Sequence, residues 1–404
     1  MPYVAVHHPE KCHQCGICTE IVACPGADEL ICIGCGACVL ACPHQALELV
    51  EVPRERKLTI EVNGHIAIVP ERISVKEALK EAGYPLAMFP EEPGLFAPCE
   101  VGGCGSCIVE IDGVAQLACR TIVSNGMRIK TALPQDYVPR RIIKNFTGHP
   151  AGGVGTPRQV RSRHSTTYIE AICFAAGCNF RCPQCQNWPI TYTGQGEALS
   201  PKQAAQKLSC LREQLKLNRM AISGGESTLN RAWLIQFVAE LKRLNPDPYA
   251  HFHVDTNGSL ITHDYIDELI KAGTTDIGID LKALETDTFM CITGLKDRAL
   301  SERYKETAWE AVRYLRHNYS DRVFTGVGIP YNRGLISTSE ISCMGQRLLD
   351  IDPAVQITLL DYLPAFRSNI DPPSDSEMMA LREMLQQLGL RTVLAQTTKG
   401  MIGP

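Results

Sequence analysis

The chain has 404 residues, with 40 Lys plus Arg against 44 Asp plus Glu and a formal net charge of −4. That length exceeds what one domain usually needs, so two or more folded units are expected, and the balanced charge gives no bulk electrostatic case for nucleic-acid binding. Met1 to Glu10 lack a basic stretch followed by an apolar core, and no apolar run is long enough to span a bilayer. A cytoplasmic protein with no membrane partner is therefore expected.

Residues 1–52 carry two cysteine runs, Cys12-x2-Cys15-x2-Cys18-x5-Cys24-Pro25 and Cys32-x2-Cys35-x2-Cys38-x3-Cys42-Pro43. Tight clustering without a secretion signal suits iron–sulfur ligation better than disulfides. A zinc site is the alternative for any Cys-x2-Cys pair, but two matched halves each ending in Cys-Pro favour iron. The pair of runs resembles the bacterial two-cluster ferredoxin, in which the fourth cysteine of each run ligates the other cluster. The resemblance implies one 4Fe-4S cluster on Cys12, Cys15, Cys18 and Cys42, and a second on Cys32, Cys35, Cys38 and Cys24. The first run is longer than the usual pattern before Cys24, which would loosen that cluster's surroundings.

From Lys57 to Val69 the chain alternates in two strands about an Asn63-Gly64 turn. A helix follows, with Ser74 as its N-cap and Val75, Leu79 and Ala82 among its apolar positions. Next come Cys99, Cys104 and Cys107, then Cys119 after a strand and the Asp112-Gly113 turn. This Cys-x4-Cys-x2-Cys spacing resembles plant-type 2Fe-2S ferredoxin, and Cys104-Gly105-Ser106-Cys107 resembles the iron–sulfur subunit of succinate dehydrogenase. A β-grasp module over 57–131 is implied, with those four cysteines as ligands. Residues 132–164 contain Pro134, Pro139, Pro150 and Pro157 and a Gly-rich Ala151 to Gly155, and read as a linker. His149, His164, Arg158, Arg161 and Arg163 are expected on that solvated connection.

Residues 165–404 alternate strand and helix. Strands are expected near 168–174, 220–223, 251–255, 275–281, 323–329 and 355–361, and Ser200-Pro201 opens a helix running to about 218. Parallel strands with helices outside follow from that alternation. Directly after the first strand stands Cys178-Asn179-Phe180-Arg181-Cys182-Pro183-Gln184-Cys185. Three cysteines leave one corner of a four-iron cluster free for a ligand other than protein.

That triplet resembles the signature of the radical S-adenosylmethionine (radical SAM) superfamily. The resemblance implies that SAM chelates the open iron through its amine and carboxylate, and that an electron cleaves the sulfonium to methionine and a hydrogen-abstracting 5'-deoxyadenosyl radical. It also implies an α/β core in the form of a partial (β/α)6 TIM barrel, with the site at the carboxyl ends of the strands. Gly224-Gly225-Glu226 after the second strand, Asp255-Thr256 after the third and Asp280-Leu281-Lys282 after the fourth resemble pyruvate formate-lyase activating enzyme and its relatives. There these segments bind SAM and a monovalent cation. The loop from Cys178 to Trp188 resembles the AmmeMemoRadiSam branch more closely. Gln184 stands where relatives carry an aromatic residue near the adenine, and Trp188 is the candidate replacement. Tyr362 and Arg367 fall where relatives carry a histidine near the ribose.

Other readings stay beside these. Gly-Gly-Glu alone is more often a turn, and His251 and His253, on the strand face of Asp255, are either satisfied core histidines or polar contacts. Cys173, Cys210, Cys291 and Cys343 lie outside the motifs and are expected as buried packing residues. In total the chain implies three 4Fe-4S clusters, one of them binding SAM, one 2Fe-2S cluster, SAM and a monovalent cation. The first function reading is a radical SAM enzyme acting on a protein, peptide or small molecule, with glycyl-radical activation as one version. Its tethered clusters relay electrons from a ferredoxin or reductase. The others are a radical SAM oxidoreductase with those clusters as acceptors, and a non-catalytic electron-transfer subunit.

Overall fold

The computed structural model describes residues 2–22, 31–162 and 168–403. The chain divides into two compact units. One comprises Met1–Lys144, Ala175–Asn179 and Asn187–Ser200; the other comprises Asn145–Phe174, Phe180–Gln186 and Pro201–Pro404. Among the described residues no helix is long and apolar enough to cross a membrane.

In the first unit, Tyr3–His7 pairs antiparallel with Leu47–Glu51. These strands close a small core of Val4, Ala5, Cys32, Cys38, Cys42, Ala46 and Leu47. The two cysteine runs share a local device. Gly16 and Gly36, at φ 73° and 76°, immediately precede the turns Ile17–Ile21 and Ala37–Ala41 that present Cys18 and Cys38. A left-handed residue at that point reverses the backbone at a cost that only glycine escapes.

A mixed five-stranded sheet follows, in the order His65–Pro70, Lys57–Val62, Arg128–Lys130, Ile108–Ile111, Val114–Leu117. Lys57–Val62 runs parallel to Arg128–Lys130, and the two hairpins are antiparallel. Both hairpins turn on the expected pairs, Asn63-Gly64 and Asp112-Gly113, each with both residues at positive φ, the conformation that suits the right-handed twist of the flanking strands. Ser74 caps the helix Val75–Glu81 by accepting from the Glu77 amide. Val75, Ala78 and Leu79 bury against Leu58, Ile60, Val109, Ile111 and Ile129 of the sheet.

The second unit is built on a sheet whose consecutive neighbours are Glu170–Ala175, Arg219–Gly224, His251–Thr256, Asp276–Asp280, Phe324–Tyr331, Gln356–Asp361, Thr392–Thr397 and Gly400–Ile402. Pairing is parallel from Arg219–Gly224 through Thr392–Thr397. The six expected strands are present, and Thr392–Thr397 adds one the sequence reading missed. Helices connect them, their apolar faces including the fully buried Trp233, Phe237, Tyr265, Phe289 and Trp309.

Two expectations are corrected. The stretch read as a solvated linker is structured: Arg141–His149 is a strand, and Gly152, Gly155 and Thr156 are buried. Gln356 donates to Thr156 O at 2.8 Å and accepts from the Arg158 amide at 2.9 Å. Glycines there permit close packing rather than flexibility, since a Cβ on Gly153 would overlap Asp255 Oδ2 and one on Gly155 would overlap His253 Nε2. The side chain of Arg161, and Arg163 and His164 altogether, lie outside the described residues. Of the four cysteines expected in the core only Cys173 is buried; Cys210, Cys291 and Cys343 are exposed. Each sits on a helix off its buried stripe, as with Cys343 beside buried Ile341, Met344 and Leu348.

Candidate metal centres and strand-end site

Cys12, Cys15, Cys18 and Cys42 line one cavity of about 520 Å³, together with Cys38 and the imidazoles of His13 and His44. Those rings stack at 3.9 Å. Backbone amides already point at sulfurs of the expected ligands: in this cavity Gln14 N at Cys12 Sγ and Ala46 N at Cys42 Sγ, both 3.4 Å, and, outside it, Ala5 N at Cys32 Sγ, 3.3 Å. Amides aimed at sulfur stabilise thiolate and cluster alike, so this cradle fits a 4Fe-4S group. Cys24, expected on the second cluster, lies outside the described residues.

Cys99, Cys104, Cys107 and Cys119 are all buried. Cys104 bonds to Cys99 and Cys119 to Cys107, and these thiol–thiol bonds, with burial, push the Cys104 and Cys119 thiols well above their usual range. Four buried thiols cannot ionise together without a cation among them. The donor set therefore fits a 2Fe-2S group, which supplies that charge and spreads its ligands over two irons. Among the described residues no set of three or more His, Cys, Asp or Glu side chains converges on a single metal-ion position.

Of the radical SAM triplet, Cys178 belongs to the first unit and is buried. The residue before it, Gly177, has φ +85° and lies against Cys99: a Cβ there would stand 2.8 Å from Cys99 Cβ and 3.3 Å from Cys99 Sγ. Gly103 packs equally close on Ala176. The strand starting at Arg141 laces the two loops, Ile142 donating to Gly103 O and accepting from Ala176 N, each at 3.0 Å.

Cys182 and Cys185 belong to the second unit, on a loop clamped from three directions. Arg181 N donates to Thr293 O at 2.7 Å and Arg367 N to Pro183 O at 2.9 Å. Gln184 is buried and donates through Nε2 to Ile292 O at 2.7 Å. Gln184 therefore fastens the loop to the end of the helix Thr286–Thr293. Burial and the neighbouring Cys185 push the Cys182 thiol up to about 12, against the opposing pull of Lys282 and Arg181. Lys282 donates to Asp280 Oδ2 at 2.9 Å and to Tyr362 Oη at 2.8 Å. Burial would pull its ammonium down, but Asp280, Tyr362 and Cys182 hold it well above the usual value.

Glu226 is fully buried and acts as a junction between two strand ends. Oε1 accepts from Thr228 N, Thr228 Oγ1 and Thr256 Oγ1 at 2.9, 2.6 and 2.6 Å, and Oε2 accepts from Asn257 N at 2.7 Å. Gly224, at φ +118°, makes the preceding bend. Asp255 Oδ1 pairs with His253 Nε2 at 2.9 Å, and His253 Nδ1 with Glu170 Oε2 at 3.0 Å. Burial opposes charge on His253, but Asp255 and Glu170 outweigh it and hold the imidazole at about 10. Glu170 conversely stays well below the carboxylate range: burial pushes it up, while His253, His149 and Arg219 prevail.

Sequence reasoning missed Glu170 and the Gly153–Gly155 backbone, whose amide at Gly153 donates to Glu170 Oε1 at 2.8 Å. Three glycines within five residues were the available signal. Of the paired histidines, His253 is the buried one, ion-paired with Glu170 and Asp255, whereas His251 is about 45% exposed and pairs with Asp276 at 3.3 Å. Trp188 opens the short helix Trp188–Thr191 of the first unit and is partly buried.

Residues 172–334 match the radical SAM superfamily, residues 55–134 a 2Fe-2S iron–sulfur cluster binding domain, and residues 25–48 a 4Fe-4S binding domain. The chain thus contains a radical SAM domain and ferredoxin-like 2Fe-2S and 4Fe-4S domains. Probable GTP 3',8-cyclases from Thermoplasma volcanium and Saccharolobus solfataricus are each 32% identical to it, over 121 and 128 residues. Those stretches are 30% and 31% of this chain and 35% and 38% of the relatives, so the chain spans little more than a third of the length of these two relatives. Among solved structures, a radical SAM methyltransferase from Sphaerobacter thermophilus is similar at 16% identity and a TM-score of 0.43, covering 57% of this chain and 67% of that one. Streptococcus suis SuiB bound to S-adenosylmethionine is similar at 12% and 0.41, covering 54% and 48%.

Proposed function

We propose that this protein is an enzyme that cleaves S-adenosylmethionine reductively at a 4Fe-4S cluster on Cys178, Cys182 and Cys185. The 5'-deoxyadenosyl radical so released takes hydrogen from a protein, peptide or small-molecule substrate, in the manner of activating enzymes. The observation that carries this reading is the grouping, in the second unit, of Cys182 and Cys185 with Asp280, Lys282 and Tyr362. These come from loops after three separate strands, at the strand ends where such folds place their chemistry.

The charges suit the ligand. Protonated His253 with Glu170 and Asp255 carries one net negative charge, and SAM, with an ammonium, a sulfonium and one carboxylate, carries one net positive charge. Asp255 is the partly exposed member of that trio, so it is the one able to face the ligand. Gly224, Gly225, Thr256 and Trp188 complete the proposed contacts, and Glu226 holds Thr256 and Asn257 in place for them. Asp255 and Asp280 are the proposed neighbours of a monovalent cation.

The two 4Fe-4S sites of residues 1–52 and the 2Fe-2S site serve, in this reading, as a tethered relay to a ferredoxin or reductase. Tethering raises the effective concentration of the electron partner, and the contact of Gly177 with Cys99 supports the arrangement. The test is anaerobic reconstitution, reduction with dithionite in the presence of SAM, and quantification of 5'-deoxyadenosine. Release well above a Cys182→Ala control is expected; no excess over that control would sink the proposal.

A further inference from the structure

Within the first unit one side chain spans the two ferredoxin-like regions. Arg120 directly follows Cys119, and its stem crosses Gly102, whose Cβ, if present, would stand 3.1 Å from Arg120 Cγ. At its far end Nη1 donates to Cys35 Sγ at 3.5 Å and Nη2 to Val22 O at 3.1 Å. A single residue therefore touches the loop of Cys99 to Cys107, the thiol of Cys35 and the end of the turn that carries Cys18. Cys35 and Cys119 also share the lining of a cavity of about 240 Å³.

We propose that Arg120 is a positioning residue that couples the 4Fe-4S site of Cys35 to the 2Fe-2S site of Cys119. This rests on the iron–sulfur reading of both sites. The planar guanidinium reaches a sulfur and a carbonyl through two nitrogens held in one rigid fork, a fixed separation that an ammonium on a flexible stem lacks. That fork holds the two loops at one separation. A cation donating to a ligand sulfur also favours the more negative, reduced state of that site, so Arg120 raises its reduction potential. Exchange across the contact moves one electron: the site that gives it is oxidised by one, the site that receives it is reduced by one, and no bond or proton changes.

The experiment uses the full chain, reconstituted anaerobically and titrated with dithionite under electron paramagnetic resonance, as wild type, Arg120→Met and Arg120→Lys. Arg120→Met keeps the apolar stem and removes the fork. It is expected to retain iron and sulfide, shift one 4Fe-4S midpoint negative, and lose the magnetic broadening between that signal and the 2Fe-2S signal. Arg120→Lys is expected to recover part of the potential shift and none of the broadening. Wild-type potentials and line shapes in a fully loaded Arg120→Met overturn the proposal. Should Arg120→Met fail to load, wild-type signals in Arg120→Lys overturn it equally. Wild-type protein that binds too little iron and sulfide for these sites would instead bring down the iron–sulfur reading itself, a separate result.

Discussion

Gly177 packs its bare Cα face on Cys99, so that one residue separates a proposed 2Fe-2S ligand from Cys178. Replacing Gly177 with Ala puts a methyl 2.8 Å from Cys99 Cβ at a φ of +85°. The left-handed backbone alone costs about 1–2 kcal/mol for a residue with a Cβ, and the clash adds to it. Gly177→Ala is expected to alter the 2Fe-2S electron paramagnetic resonance signal and lower iron content. An unchanged signal at full loading would show that the two loops are not in contact.

The Gly-rich segment before residue 157 tests how it is read. A solvated linker accepts Gly155→Ala without effect, whereas a segment packed on His253 and Gly278 does not. Overpacking a tight interior costs typically ~1–3 kcal/mol, and a lowered Tm of that order is expected. Gly155 is not at positive φ, so the effect there is the clash itself; Gly64→Ala, at the φ of +85° that Gly177 shares but with nothing within 4 Å, gives the cost of backbone strain alone for Gly177→Ala.

Glu226→Gln places an NH2 where one carboxylate oxygen accepts from a backbone amide or from Thr228 and Thr256. Donor then faces donor in a buried site, and the charge-assisted bonds are lost. A loss of roughly 2–4 kcal/mol is expected, read as a fall in Tm. A Thr256→Val variant, which removes one donor, should fall by less; an equal fall would mean the carboxylate contributes little.

His253 makes stability depend on alkaline pH. Its folded value is about 10 against an ordinary 6.5, so between those limits the native state keeps a proton that the unfolded chain releases. The stabilisation is complete below the unfolded value and declines as pH rises toward 10. Glu170 has the opposite sign, its contribution being lost as pH falls below the carboxylate range. Wild-type Tm is expected to drop more steeply from pH 7 to 10 than that of His253→Gln, and parallel slopes would refute the charged imidazole.

Much of the site was legible because its parts are local in sequence. The cysteine runs, the Asn63-Gly64 and Asp112-Gly113 turns, the Ser74 cap and the strands that carry Asp255 and Asp280 each depend on residues a few positions apart. The exposed Cys210, Cys291 and Cys343 were misjudged because residue type was weighed above helical phase. Gln184 was read by what it replaces, an aromatic ring, and not by its own amide, which finds Ile292 O.

Residue type and short separations were enough to mark the iron–sulfur binding regions, which the family matches to residues 25–48, 55–134 and 172–334 share. Which loop faces which was decided only by the fold. Gly177 meets Cys99, Arg120 meets Cys35, and Gly155 meets His253 across separations of 78, 85 and 98 residues. Such meetings depend on where strands and turns carry the backbone, and no local pattern of residues encodes them.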